Sequence, residues 1–140
     1  MAWSVEAKIW LALKNRMQLF PTARPVLWPG ENTPIPNGVD GYWRVGRVFA
    51  DPANIFVDDG KKHRRTGFLM VTLVRGLTGT GPVETKDTEA GNLAAWFKDG
   101  TSMRFEGVCV KVNNYPYVMD GYEESGYWET PVRIPWLCFA

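Results

Sequence analysis

Apolar residues in this chain recur with two different periods, and the changes of period predict its elements. Val5, Ile9, Leu13 and Met17 fall every four residues, with Ala12 and Phe20 on the same face, which is the spacing of an amphipathic helix over 4–20. Ser4 is placed to cap it, Glu6 sits at its positive end and Pro21 stops it. Trp3 and Trp10 fall on the flank of the stripe and Leu11 nearly opposite it, as exposed side chains or as a subunit contact. Ala90, Leu93, Ala94 and Phe97 form a second stripe, predicting a helix over 83–98 with Glu84 and Asp87 near its start and Gly100 beyond its end.

Between the helices the period shortens. Trp43, Val45 and Phe49 alternate with Tyr42, Arg44 and Gly46, the pattern of a strand with one wetter side, interrupted on its drier side by Arg47. Phe68 to Val74 is apolar at nearly every position, which reads as a central strand covered on both faces. Asp59-Gly60 is a strong turn pair, so Ile55 to Val57 is expected to fold back on His63 to Arg65 as a protruding hairpin arm. Val26 to Trp28 is expected as a short strand inside the proline-rich passage 22–41. Segments 101–105 and 108–113 predict a hairpin around Glu106-Gly107, and 115–126 reads as an acidic loop. A last strand over 127–136 is expected at a sheet edge or bulged, because Pro131 and Pro135 cannot donate to a ladder. With no β-α-β repeat, the fold class is α+β: a mostly antiparallel sheet with two helices packed on one face and the hairpin arm protruding.

Composition narrows the function classes. A chain of 140 residues, 45% hydrophobic and 22% charged, fits one globular domain with a real core. A net charge of +1 argues against nucleic-acid binding driven by bulk charge, although Lys61, Lys62, Arg64 and Arg65 concentrate four cations in five residues. That run admits three readings: a solvated surface, a contact with an acidic protein surface, or a phosphate contact. Seven Trp exceed what a core of this size needs and point to interfaces. Cys109 and Cys138 admit a bridge, but are expected rather as two buried thiols of a reducing compartment. No apolar stretch is long enough to span a bilayer, and the chain is expected in the cytoplasm of the cell that makes it.

Chemistry is sparse. His63 is the single histidine and lies in the basic run, where a catalytic imidazole would lack a buried, oriented partner. One His and two distant Cys do not make a zinc site, and Asp58 and Asp59 read as turn formers. Gly76 to Pro82 carries neither phosphate-loop spacing nor its lysine. No catalytic residue, metal or cofactor is expected.

Four stretches together carry a resemblance. They are AKIWLALKNRMQLF (7–20), LWPGEN (27–32) followed by GYWRV (41–45), GFLMVTLV (67–74) leading to AGNLAAWFKDG (90–100), and GYWETPVRIPW (126–136). In this series the chain resembles the small tail terminator, or tail completion, proteins of long-tailed bacteriophages and prophages. The resemblance covers nearly the whole of 1–140 and implies a single domain that assembles with itself as a ring, typically a hexamer. Such a ring caps the tail tube, faces head-tail connector proteins and lets genomic DNA pass without sequence-specific binding. It implies a place in the virion tail after assembly in the host cytoplasm, with no enzyme activity and no membrane. The candidate assembly interface is then Lys61, Lys62, His63, Arg64 and Arg65 against Asp120, Glu123 and Glu124, with Trp3 and Trp10 as further contacts. The alternative is a small nucleic-acid-binding module using 61–65.

Overall fold

The computed structural model describes residues 2–35, 39–54 and 62–140. They form two helices and nine strands. In chain order these are α1 (Val5–Gln18), β1 (Val26–Leu27), β2 (Gly41–Phe49), β3 (Ala53–Asn54), β4 (His63–Gly76), α2 (Val83–Trp96), β5 (Ser102–Phe105), β6 (Val108–Val112), β7 (Tyr117–Val118), β8 (Tyr122–Glu124) and β9 (Tyr127–Phe139). The Ser4 hydroxyl accepts a hydrogen bond from the Ala7 N–H, the cap that fixes the start of α1.

All strands join one sheet in the order β1-β2-β4-β9-β6-β5, with β3 also on β4 and β7 and β8 also on β9. Every pairing is antiparallel except β1 with β2. The register brings Val45, Val71 and Val132 into one row and Leu69 and Ile134 into another. Cross-strand partners share a face. That face therefore carries Trp43, Leu73 and Trp136 as well, and it is continuous with Val110, Val112 and Met103. Ile9, Leu13 and Met17 of α1, Ala90 and Leu93 of α2, and the adjoining Phe97 pack into the same buried cluster. Two helices on one face of a mostly antiparallel sheet is the α+β arrangement read from the sequence.

Three expectations change. Segment 115–126 is not all loop, since β7 and β8 both pair with β9. Ser125 and Gly126 between β8 and β9 both have positive φ (51° and 83°), as do Glu106 and Gly107 between β5 and β6 (44° and 84°). Both pairs are thus two-residue primed turns, which match the twist of a hairpin. The last strand is not an edge either: β9 is 13 residues long and pairs with β4 along its whole length. Its other side is served in succession by β8 at 127–129, β7 at 132–133 and β6 at 136–138. Pro131 and Pro135 stand at the two junctions, where their carbonyls accept from Met119 and Asn113. A missing N–H at a junction breaks no ladder bond. Finally, the fold-back onto His63 begins earlier than expected, at Ala53 and Asn54, which pair with Arg64 and His63. The expected partner strand Ile55 to Val57 and the Asp59-Gly60 turn lie outside the described residues.

Candidate functional site: the open face and two charged ends of the sheet

Strand alternation sends every second residue away from the helices. On that open face β2 presents Tyr42, Arg44 and Val48, β4 presents Phe68 and Met70, and β9 presents Tyr127, Glu129 and Arg133. β7 and β8 add Tyr117 opposite Arg133 and Tyr122 opposite Glu129. Tyr115, Tyr117, Tyr122 and Tyr127 are all exposed, Tyr115 by 78%. The Arg133 guanidinium lies 3.6 Å from the centre of the Phe68 ring. Arginine and tyrosine on a partly apolar surface are the composition of a protein interface, because both add large contact area and retain a polar tip.

One ionic cluster braces this face. Arg44 Nη2 donates to Glu129 Oε1 at 2.6 Å, and the Tyr122 hydroxyl donates to the same oxygen at 3.1 Å. Three strands are thereby tied through one buried carboxylate. The Arg44 hydrogen bond holds the Glu129 carboxyl below its ordinary 4.5 against the opposing effect of burial, and burial together with the bond to Glu129 pushes the Tyr122 hydroxyl up. A depressed carboxyl stabilises the fold above its unfolded value and loses that contribution as pH falls through the folded one. Glu129→Gln is therefore expected to cost about 1–2 kcal/mol at pH 7, toward the low end because Arg44 is half-exposed. Urea midpoints at pH 7 and pH 3 check this: the gap between wild type and variant should close in acid, and a gap unchanged at pH 3 would contradict it.

The residues expected from sequence to form an interface fall at opposite ends of this sheet. Arg64 pairs with Phe139 and Glu123 with Trp128, so the two ends lie roughly 35 Å apart along β9. Lys62 and Arg64 are exposed at one end, and Asp120, Glu123 and Glu124 are exposed at the other. Lys61 lies outside the described residues. His63 is half-buried, and its main chain exchanges both hydrogen bonds with Ala140. Arg65 is not part of a free basic surface. Its Nη1 pairs with Glu6 at 2.9 Å and its Nε donates to the Ala140 carbonyl, because at this end of β4 the odd positions face α1 and the C-terminus. Trp3 is exposed, whereas Trp10 is half-buried, edge-on to Trp28 at 6.1 Å and under the Arg47 guanidinium. Leu11, expected to be exposed, is half-buried.

The exposed tyrosines were not singled out from sequence. For Tyr127 the signal was its alternation with Glu129 and Arg133 on one side of the last strand, a side that is known to be open only once the helices are known to cover the other one.

A second ionic cluster lines a cleft of about 1030 Å³ between Phe20, Val39, Trp43 and Trp96. Arg24 and Arg75 both bond Glu89 and Asp40, so two cations and two carboxylates satisfy one another. Arg24 and Asp40 are each held in their charged form by these bonds. The cluster joins α2 to β4 and to the passage before β2, a bracing role at the helix-sheet junction. Among the described residues, no group of three or more His, Cys, Asp or Glu is placed to hold a metal ion. Cys138 is buried, Cys109 is half-buried, and both are free. No helix among the described residues is long and apolar enough to cross a membrane.

Comparison with known proteins gives three findings. A family model described as phage tail terminator protein matches residues 8–136. A solved structure superposes on 96% of this chain and 92% of its own length, with a TM-score of 0.69 and 20% identity. At that identity the likeness speaks to the fold alone. None of the curated proteins matches this chain.

Proposed function

This chain belongs to the phage tail terminator family, and from that premise we propose that it closes as a ring, a hexamer, on the head-proximal end of the tail tube. Its broad role, structural and in the assembly of the phage tail, follows from the family itself. In the proposed ring, one face is complementary to the last tube layer and the other meets the head-tail connector proteins. Genomic DNA passes through the lumen without base-specific contacts. The subunits would assemble in the host cytoplasm and remain in the virion tail.

The observation that carries the ring is the separation of Lys62 and Arg64 from Asp120, Glu123 and Glu124 at the two ends of one sheet. Opposite charges that cannot meet within a subunit are free to meet between neighbours. Head-to-tail contacts of that kind close into rings when the rotation allows. An arm of one sign also repels its own copy and disfavours like-to-like pairing.

The test is direct. Purified protein added to growing tail tubes should stop elongation and appear at one tube end by electron microscopy. Tubes that keep growing with bare ends would overturn the reading. Salt-steep binding to short duplex DNA, lost when Lys62 and Arg64 are neutralised, would favour the nucleic-acid module instead.

A further inference from the structure

We propose that the ring contact is a strand addition, in which β8 of one copy pairs antiparallel with the open half of β2 on the next, setting Glu123 against Arg47. The proposal deepens the ring reading above and rests on it. It begins from the two edges of the sheet. β1 covers β2 around Trp43 and Arg44, and among the described residues no strand pairs with 46–49 on that side. The Trp43 N–H donates outward to the Pro25 carbonyl, while the Ala50 N–H donates inward to Thr66. Strand alternation then aims the N–H and C=O groups of Arg47 and Phe49 out of the sheet, beyond the reach of β1.

At the opposite edge, Glu124 and Tyr127 flank the two-residue turn Ser125-Gly126, which makes them a hydrogen-bonded pair. Glu123 therefore points its own N–H and C=O away from β9. Both edges offer unpaired backbone, which is the condition for strand addition.

Direction and facing agree as well. β2, β4, β9 and β8 alternate in direction, so β8 runs opposite to β2. A rotation that brings the next copy's β2 beside β8 preserves that opposition and inverts neither subunit. Glu123 shares the helix-covered face with Trp128, and Arg47 shares the same face with Leu69. The added pair thus keeps the helices of both copies on one side. Glu123 and Arg47 are both exposed, and the Arg47 guanidinium is held over the Trp10 and Phe49 rings at 5.2 and 4.9 Å. A charge fixed in that way loses little freedom on pairing. β8 lies toward the Gly41 end of β2 and the open half toward the Phe49 end, so successive copies are staggered. A closed sheet accommodates stagger by tilting its strands against the axis.

Cysteine cross-linking on capped tail tubes tests the proposal. Hydrogen-bonded antiparallel partners have Cα atoms about 5.5 Å apart, inside the range a disulfide spans. The variant combines Arg47→Cys and Glu123→Cys in a Cys109→Ser background. Mild oxidation should give a ladder of covalent multimers, on the order of tenfold above either variant that carries only one of the two introduced cysteines. Capped tubes without a ladder would overturn the strand addition and leave the ring intact. Tubes left uncapped by the wild-type protein would remove the ring and this contact with it. Glu123→Pro gives an independent reading, since it deletes the outward N–H without touching a bond to β9. Its melting temperature should match wild type while ring formation is lost, and wild-type ring formation would overturn the proposal.

Discussion

Replacing Trp136 by Ala is expected to lower the free energy of unfolding by about 3–5 kcal/mol. Trp136 is 1% exposed and meets Phe49 edge-to-face at 5.2 Å. It also lies on Gly67, its partner across the β4–β9 ladder. A Cβ at Gly67 would fall 2.5 Å from Trp136 Cζ2 and 2.2 Å from the Val48 carbonyl oxygen. The indole is thus packed against main chain as well as side chains, and main chain cannot collapse into the space a truncation leaves. Domains of this size are stable by about 5–15 kcal/mol in all, so the variant should lose about a fifth or more of its denaturant midpoint. Trp136→Phe keeps a ring against Phe49 and should lose less than half as much. A loss below about 1 kcal/mol for Trp136→Ala would mean that the pocket closes and that this strand is not clamped as described.

Reversing Lys62 and Arg64 to Glu is expected to leave the subunit folded and to disable the tail. Both side chains are exposed, and neither takes part in the ion pairs among the described residues. Exposed substitutions of this kind change stability by about 0.5 kcal/mol or less. Assembly is another matter. In the proposed ring, placing two carboxylates at the end of the sheet that faces a neighbour's acidic end, with Asp120, Glu123 and Glu124, turns attraction into repulsion. Each such juxtaposition costs several kcal/mol, so association should fall on the order of a hundredfold or more. Phage carrying the double reversal should give unfinished or overlong tails and few infectious particles. Normal tail length and infectivity with a normally folded subunit would establish that these cations are only solvated, and would remove the charged contact from the proposed ring.

The two predictions draw on different levels of information. The helices, the hairpin at Glu106-Gly107 and the central strand through Leu69, Val71 and Leu73 are local in origin. Period, caps and turn residues act over a few positions, so the sequence alone determined them. That the helices share one face of an antiparallel sheet also followed from element order. The resemblance carried by 7–20, 27–32 and 126–136 pointed to the family that the match over 8–136 shows.

What depended on partners distant in the chain was decided by the tertiary structure. Pro131 and Pro135 argued locally for an edge strand, yet β9 is internal because three short strands meet at those two positions. Arg65 read as one more cation of a run, but a partner 59 residues away in α1 claims its guanidinium. Glu123 and Glu124 read as loop acids until β8 paired with β9 and gave them an edge and a facing. A side chain's residue type fixes what it can bond, whereas its direction and its neighbours are set by strand register. Register comes from packing across the whole sheet, so only the folded chain reveals which charges are spent inside the subunit and which stay exposed on its surface.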